Sequence, residues 1–409
     1  MYLAGTTGLN KDGAFQFPVY HRKHPCLSSS VHLASLPAEA SPIIGNHEIH
    51  EGKYFMAIGL GTPPVSNLVT VDTGSTLSWV VCEPCQIVCH PTAPEAGASF
   101  NSSNSTTYHR VGCSSRDCTE VQRSLVAPFG CIEETDTCLY SLRYGSGSSG
   151  QYSAGRLGKD KLTIGSGSST VVDGFVFGCS EDDNFNGRES GMIGFGDESF
   201  SFFNQVAQHA NYTAFSYCFP GDHRAEGFLS IGPYPKYNLV YTQLIPKFGD
   251  RLVYSLQLID MMVDGNRLQI DPAEYRERML IVDSGTADTF LLAPVFDAFS
   301  KAMITAMRAK GFVSDIDGTM TCFTPPGGNS VDWGDLPTVE MKFTRTTLKL
   351  PPENVFYGPS SSTGEVCLAF KPDAAGVRDV QILGNKAMRS FRVVYDLQAR
   401  LFGFQPRAC

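Results

Sequence analysis

One tetrapeptide occurs twice in this chain, each time behind the same kind of apolar run. Val69-Thr70-Val71 leads into Asp72-Thr73-Gly74-Ser75, and Leu280-Ile281-Val282 leads into Asp283-Ser284-Gly285-Thr286. Downstream of each copy stands an apolar-apolar-Gly element, Met192-Ile193-Gly194 in the first half and Ile382-Leu383-Gly384 in the second. A single Asp-Thr/Ser-Gly-Ser/Thr reads as an Asx turn at the end of a strand. Two copies in matching context read as an internal duplication, with two homologous lobes each delivering one carboxylate. The boundary between lobes falls around Ala225 to Val240, which divides the chain into residues 1–47, an N-terminal lobe over 48–230 and a C-terminal lobe over 231–409.

Composition agrees with an all-β body of that kind. The 409 residues are 42% hydrophobic and 18% charged, with 40 Gly and 24 Pro, which suits many short strands joined by turns and excludes disorder, a helical bundle and a collagen-like repeat. Strand-like runs lie at Tyr54 to Leu60, Leu139 to Tyr144, Lys161 to Ile164, Gly174 to Phe177, Leu252 to Leu258, Met279 to Val282 and Phe391 to Tyr395. The clearest helix runs from Pro294 to Lys310, with Pro in the first turn and Gly311 after the last; a weaker one covers Phe200 to His209. Residues 1–47 lack strand alternation, so folded structure is expected to begin near residue 50. A formal charge of −9 is the wrong sign for nucleic acid. No apolar run is long enough for a membrane span, and Met1 to Gln16 shows no signal-peptide order.

Thirteen cysteines need a reason, because Cys82, Cys85, Cys89, Cys113, Cys118, Cys131 and Cys138 cluster in one insert. A zinc site is one reading, since Cys82-x-x-Cys85 has the spacing and His90 and His109 are near, but no second pair follows at finger spacing. A disulfide framework made in an oxidising compartment is the other, and sequons at Asn101, Asn104 and Asn211 favour it. Cys26 stands apart as the odd thiol. The nine histidines include no metalloprotease spacing and default to surface or packing roles. Gly145-Ser146-Gly147-Ser148-Ser149-Gly150 fits a dinucleotide fingerprint, but no helix or downstream acidic residue follows as that mechanism requires.

With these residues in view, the chain resembles the pepsin-type aspartic proteases, and among them the plant nepenthesin-like group, over about residues 50 to 409. The matches are both tetrapeptides, both Gly elements, Trp79, the flap-like Tyr144-Gly145-Ser146-Gly147-Ser148 and the cysteine-rich insert; Tyr20-His21-Arg22 resembles part of that group's prosegment. The resemblance implies a bilobal all-β fold with an active-site cleft between the lobes. It implies an aspartic endopeptidase acting at acidic pH on polypeptide substrates, without cofactor or metal, as a monomer sensitive to pepstatin-type inhibitors. The expectation is a secreted or vacuolar protein with no membrane span.

In that reading Asp72 and Asp283 share a proton and activate a water. Thr73, Gly74, Ser75, Ser284, Gly285 and Thr286 support the pair, and Tyr144, Gly145, Ser146 and Trp79 form the flap and substrate-binding wall. The group's disulfide pattern implies Cys82–Cys85, Cys89–Cys179, Cys113–Cys138, Cys118–Cys131, Cys218–Cys409 and Cys322–Cys367. Residues 1–47 would be a prosegment, held over an acidic cleft partly by the basic run His21-Arg22-Lys23-His24. Two departures stand beside the second motif: Ala287 replaces a hydroxyl residue, and Asp288 adds a third carboxylate. The competing expectation is an inactive pepsin-fold binding protein of the kind that inhibits glycoside hydrolases.

Overall fold

The computed structural model describes residues 8–9, 13–21, 52–124, 130–145, 150–164, 170–185, 187–208, 210–221, 226–245, 253–276, 278–317, 320–328, 331–360, 362–373 and 380–409. In chain order, the strands that shape the first lobe are β1 (Phe15–His21), β2 (Tyr54–Leu60), β3 (Val65–Asp72) and β4 (Trp79–Glu83). After helix α1 (Arg116–Ser124) come β5 (Thr137–Tyr144), β6 (Gln151–Ile164), β7 (Thr170–Asp183) and β8 (Gly191–Gly194), then helix α2 (Phe202–Ala207). Two strands, β9 (Ala214–Cys218) and β10 (Glu226–Ile231), lead out of the lobe. The second lobe is built on β11 (Ser255–Val263), β12 (Met279–Asp283), β13 (Thr289–Leu291), helix α3 (Ala293–Ala309), β14 (Gln381–Gly384), β15 (Arg392–Asp396) and β16 (Leu401–Gln405).

The duplication read from the sequence is a duplication of topology. In the first lobe β3 runs parallel to β8, with Asp72 opposite Gly194, and β8 runs antiparallel to β4. In the second, β12 runs parallel to β14, with Asp283 opposite Gly384, and β14 runs antiparallel to β13. These inner strands lie inside their lobes, so β3 is buried at every position from Asn67 onward instead of alternating, as expected of a strand covered on both faces. Helix α3 carries Pro294 in its first turn and turns Val295, Phe296, Phe299, Met303 and Met307 inward. Helix α2 is shorter than the sequence suggested; Ser201 caps it by accepting the Asn204 N–H.

Beneath the lobes a shared sheet ties both halves together. β10 pairs with β9, β9 with β15, and β15 with β16, so the last strands of the chain lie against the exit of the first lobe. The N-terminal segment joins this sheet: β1 pairs with β10 through Phe15↔Ile231 to Tyr20↔Glu226 and with β2 through Tyr20↔Phe55 and His21↔Tyr54. This corrects the expectation that folded structure begins near residue 50. The pattern hid the strand because Pro18 falls inside it, and proline lacks the N–H a ladder uses. Arg22, Lys23, His24 and Cys26 lie outside the described residues.

Six disulfides are formed among the described residues, and four differ from the expected pairing. Cys218–Cys409 and Cys322–Cys367 are as expected, closing separations of 191 and 45 residues. Cys82 bonds Cys179, and Cys85 bonds Cys89. The reason is sheet register: β4 runs parallel to β7 with Val80 opposite Cys179, which leaves Cys82 beside Cys179 while the chain at Cys85 has left the strand. In the insert Cys113 bonds Cys131 and Cys118 bonds Cys138. Cys118 is on the buried face of α1, a helix the sequence reading missed, and meets Cys138 on the buried start of β5.

These last bridges staple a small satellite core of Leu77, Trp79, Val81, Val111, Val121, Tyr140, Leu157, Phe185, Met192 and Phe200 that lies apart from the main one. Replacing Cys118 and Cys138 together by alanine is expected to cost about 3 kcal/mol, the value for closing a loop of this size. Urea denaturation reads it; an unshifted midpoint would show that the helix is held by packing alone.

Candidate active site

Asp72 and Asp283 stand at the ends of β3 and β12, each beside the glycine of a parallel neighbour. Those glycines are demanded by the loop that follows each aspartate. A Cβ on Gly194 would lie 2.5 Å from the Thr76 backbone, and one on Gly384 2.2 Å from the Asp288 carbonyl oxygen. Gly74 and Gly285 make a second kind of room, across the cleft. A Cβ on Gly74 would lie 2.6 Å from Cγ of Asp283, and one on Gly285 2.4 Å from Oδ1 of Asp72. The glycine of each motif is the space occupied by the carboxylate of the other.

The residues between aspartate and glycine lock the two loops together. The Thr73 N–H donates to Oγ of Ser284 and the Ser284 N–H to Oγ1 of Thr73, both at 2.9 Å. Each hydroxyl then donates across the lobe boundary, Thr73 to the Val282 carbonyl at 3.0 Å and Ser284 to the Val71 carbonyl at 2.9 Å. All four groups are buried, so the loss of any one of these bonds would leave a polar group without its partner away from water. Sequence reading placed Thr73 and Ser284 beside the pair; their exchange of bonds is visible only in the fold.

Donors converge on both carboxylates. Asp72 accepts the Gly74 N–H at 2.9 Å on Oδ1 and the Ser75 hydroxyl on Oδ2. Asp283 accepts the Gly285 and Thr286 N–H groups on Oδ1 at 2.8 and 3.2 Å and the Thr286 hydroxyl on Oδ2 at 2.6 Å. Burial first, and the charge of Asp283 second, hold the Asp72 carboxyl far above the ordinary range against the opposing pull of Ser75 and Gly74. Asp72 therefore keeps its proton across the acid range.

Over this pair comes the β5–β6 hairpin, which closes with Tyr144 opposite Gln151. Trp79, fully buried at the head of β4, donates its indole N–H to the Tyr144 hydroxyl at 2.8 Å, and Phe185 packs edge-on against the Tyr144 ring at 5.2 Å. Burial, then the nearby charge of Asp72, keeps the Tyr144 phenol protonated well above its ordinary value. Gly145 has φ 77°, a turn conformation that favours glycine. Ser146 lies outside the described residues.

Both departures beside the second motif have local explanations. The Ala287 side chain packs against residue 52, where an added Cβ would lie only 2.2 Å from the Ala287 Cβ. Asp288 faces neither the pair nor solvent: it is buried, ion-paired to Lys371 at 2.6 Å and hydrogen-bonded by the Tyr357 hydroxyl at 2.6 Å. Of the sequon residues, Asn104 and Asn211 are exposed, while Asn101 is half-buried with its Oδ1 accepting the Ser103 N–H. The sulfurs of Cys82 and Cys85 are committed to separate bridges, so that pair is not a zinc knuckle. His90, which the sequence left as an ordinary histidine, is buried against Trp79 and Phe185.

Comparison with known proteins agrees with this architecture. The family model described as xylanase inhibitor N-terminal matches residues 54–233, and xylanase inhibitor C-terminal matches 253–406. An aspartyl protease family protein of Arabidopsis thaliana is 30% identical over 378 residues, covering 91% of this chain and 75% of its own. Aspartic proteinase nepenthesin-1 of Nepenthes gracilis is 29% identical, with 88% and 78% covered. Among solved structures, soybean basic 7S globulin aligns with TM-score 0.67 at 19% identity over 87% of this chain and 91% of its own. The lupine seed protein conglutin gamma aligns with TM-score 0.69 at 18% identity, over 97% and 95%. The fold and paired motifs define a two-lobed, pepsin-like protein. The chain belongs to the plant pepsin-like aspartic protease family of the nepenthesin and xylanase-inhibitor type.

The raised Asp72 value makes a stability prediction with a definite sign. Between the ordinary aspartate value and the raised one, the folded state binds a proton that the unfolded state has released, so stability falls as pH rises through that window. Asp72→Asn removes the titration while keeping a neutral donor. It is expected to leave the melting temperature nearly unchanged at pH 3 and to raise it at pH 7, measured calorimetrically; equal effects at both pH values would show that Asp72 is not the group holding the proton.

Proposed function

We propose that the protein is an aspartic endopeptidase that hydrolyses peptide bonds at acidic pH. The observation that carries this is the pair itself: two carboxylates from two lobes, each filling the space beside the other's glycine, ringed by hydroxyl and N–H donors with no cation paired to them among the described residues. Such a pair holds one proton and one charge in acid, as is general for carboxylates packed this closely in aspartic proteases. The charged member takes a proton from a water held between them, and the neutral one donates to the scissile carbonyl oxygen. The water attacks directly, so no covalent enzyme intermediate forms.

Tyr144 supplies a wall and a lid. With its hydroxyl tied to Trp79, its ring covers the pair from the flap and excludes bulk water from the reacting bond. An extended peptide fits such a cleft by main-chain hydrogen bonds, with alternate side chains entering pockets; pepstatin-type inhibitors would take the same place. The sequons and the disulfides favour a secreted or vacuolar protein. Residues 1–47 are proposed to be a prosegment, which gives β1 the meaning of a strand that must be cut from, or retained in, the shared sheet on activation.

A pepsin-fold binding protein is the second reading, favoured by the xylanase-inhibitor description of the matching family model. Cleavage of a denatured protein at pH 3 to 6 decides between them. The expected result is pepstatin-sensitive proteolysis, appearing after a lag in the full-length chain and reduced about 10²- to 10⁴-fold in Asp283→Asn, the usual weight of one acid–base group. Acid-treated, disulfide-intact protein that cleaves nothing would remove the peptidase reading.

A further inference from the structure

Behind the flap lies a buried ionic node that the proposed chemistry does not use. His90 follows the Cys85–Cys89 bridge, and both of its ring nitrogens are engaged: Nε2 with the Glu189 carbonyl oxygen at 2.9 Å and Nδ1 with Oδ1 of Asp183 at 2.5 Å. A carbonyl oxygen only accepts, so Nε2 carries a hydrogen. Asp183 is surrounded by donors, the His90 and Phe185 N–H groups at 3.1 and 3.4 Å on Oδ1 and the Ser180 hydroxyl at 3.1 Å on Oδ2. It is therefore a carboxylate, and Nδ1 carries a hydrogen as well. The ring is an imidazolium with both partners in place.

This node touches every part that holds the flap. The His90 ring lies 6.4 Å edge-on from Trp79 and 6.0 Å from Phe185; Phe185 in turn lies 4.9 Å from Trp79 and contacts Tyr144. On its other side Asp183 ends a chain of hydroxyls, Ser180, Ser153 and Tyr140, which reaches both strands of the flap hairpin. We propose that the His90–Asp183 ion pair is a positioning element for the flap, which in its charged form fixes Trp79 and Phe185 and through them the Tyr144 hydroxyl. The inference rests on the peptidase reading only for the purpose of the flap.

The surrounding charges are accounted for among the described residues. Glu189 is ion-paired with Lys53, whose ammonium also lies 5.6 Å from the Phe185 ring centroid. On β7, Glu181 pairs with Arg156 at 3.2 Å and Asp182 accepts the Tyr152 hydroxyl at 2.9 Å. Asp183 alone is left to face the imidazole as a side-chain anion in hydrogen-bond contact. Burial works against the charge on His90, but the hydrogen bond and charge of Asp183, with the Glu189 carbonyl, outweigh it and hold the ring above its ordinary value. The folded state so gains stability that is complete below the ordinary imidazole value and lost as pH rises through the raised one. Deprotonation would set a nitrogen lone pair against a carboxylate oxygen and release the node.

Two readouts free of catalysis test this. The chain has two tryptophans, so Trp333→Phe leaves Trp79 as the reporter. Its emission is expected to titrate in one step above the ordinary imidazole range, because protonated imidazole at ring contact quenches indole. The step should vanish in His90→Gln and move to lower pH in Asp183→Asn. Amide exchange of the flap hairpin, corrected for intrinsic pH dependence, should rise about tenfold or more across the same step, and in His90→Gln should be raised at every pH. Flat Trp79 emission between pH 5 and 9, a step that survives in His90→Gln, or flap exchange indifferent to the step would each overturn the proposal. A folded chain that cleaves nothing yet shows both transitions supports it and removes the peptidase reading alone.

Discussion

The cleft depends on two loops approaching until each carboxylate fills the space that a side chain on the other loop would need. That approach is possible because Gly74 and Gly285 lack a Cβ, and it is held by the four bonds between Thr73, Ser284 and the carbonyls of Val71 and Val282. Buried and reciprocal, these bonds make the relative position of the lobes a property of the site: if either loop moved by the length of a methyl group, several polar groups would lose partners in an environment without water. The shared sheet beneath, with its last strands drawn from the C-terminus, ties the lobes together from below.

What the sequence revealed and what it concealed divide along this line. The dyad motifs, the partner glycines and α3 were legible because each is written in a short stretch: a turn, a missing Cβ, an amphipathic repeat with proline at its start. The pairing of Cys82 with Cys179 was not, because it follows from β4 lying parallel to β7, a neighbour distant in sequence. β1 was hidden by the proline inside it, and its partners in β10 lie some 200 residues on. Asp288 looked like a disturbance of the dyad until Lys371 and Tyr357 appeared beside it. His90 looked unremarkable because nothing local to it says that Asp183 will be its neighbour.

The satellite core shows why a cysteine-rich insert belongs next to a flap. Trp79 must stay rigid to hold the Tyr144 hydroxyl, yet it packs in the satellite cluster and not in the main core. The insert supplies that missing mass in α1 and its bridges, and Phe185 and His90 complete the wall on the other side. Covalent closure substitutes here for buried area, the usual recourse where a small element cannot build its own core.

Charge is handled in two distinct ways within this part of the molecule. Three buried carboxylates outside the dyad are given cations: Asp288 has Lys371, Glu189 has Lys53 and Asp183 has the His90 ring. Among the described residues the dyad receives only neutral donors. A cation beside Asp72 or Asp283 would favour full ionisation and drive out the shared proton, whereas hydroxyls and amides orient the oxygens without abolishing the mutual repulsion that retains it. Pairing the neighbouring acids also keeps their charges from adding to that repulsion, so the proton held by the dyad is governed by burial and by the partner aspartate. The same distinction separates the two titrations: the dyad proton is kept by burial and then by a neighbouring negative charge, and the His90 proton by the need to balance one, and both are lost as the solution becomes alkaline.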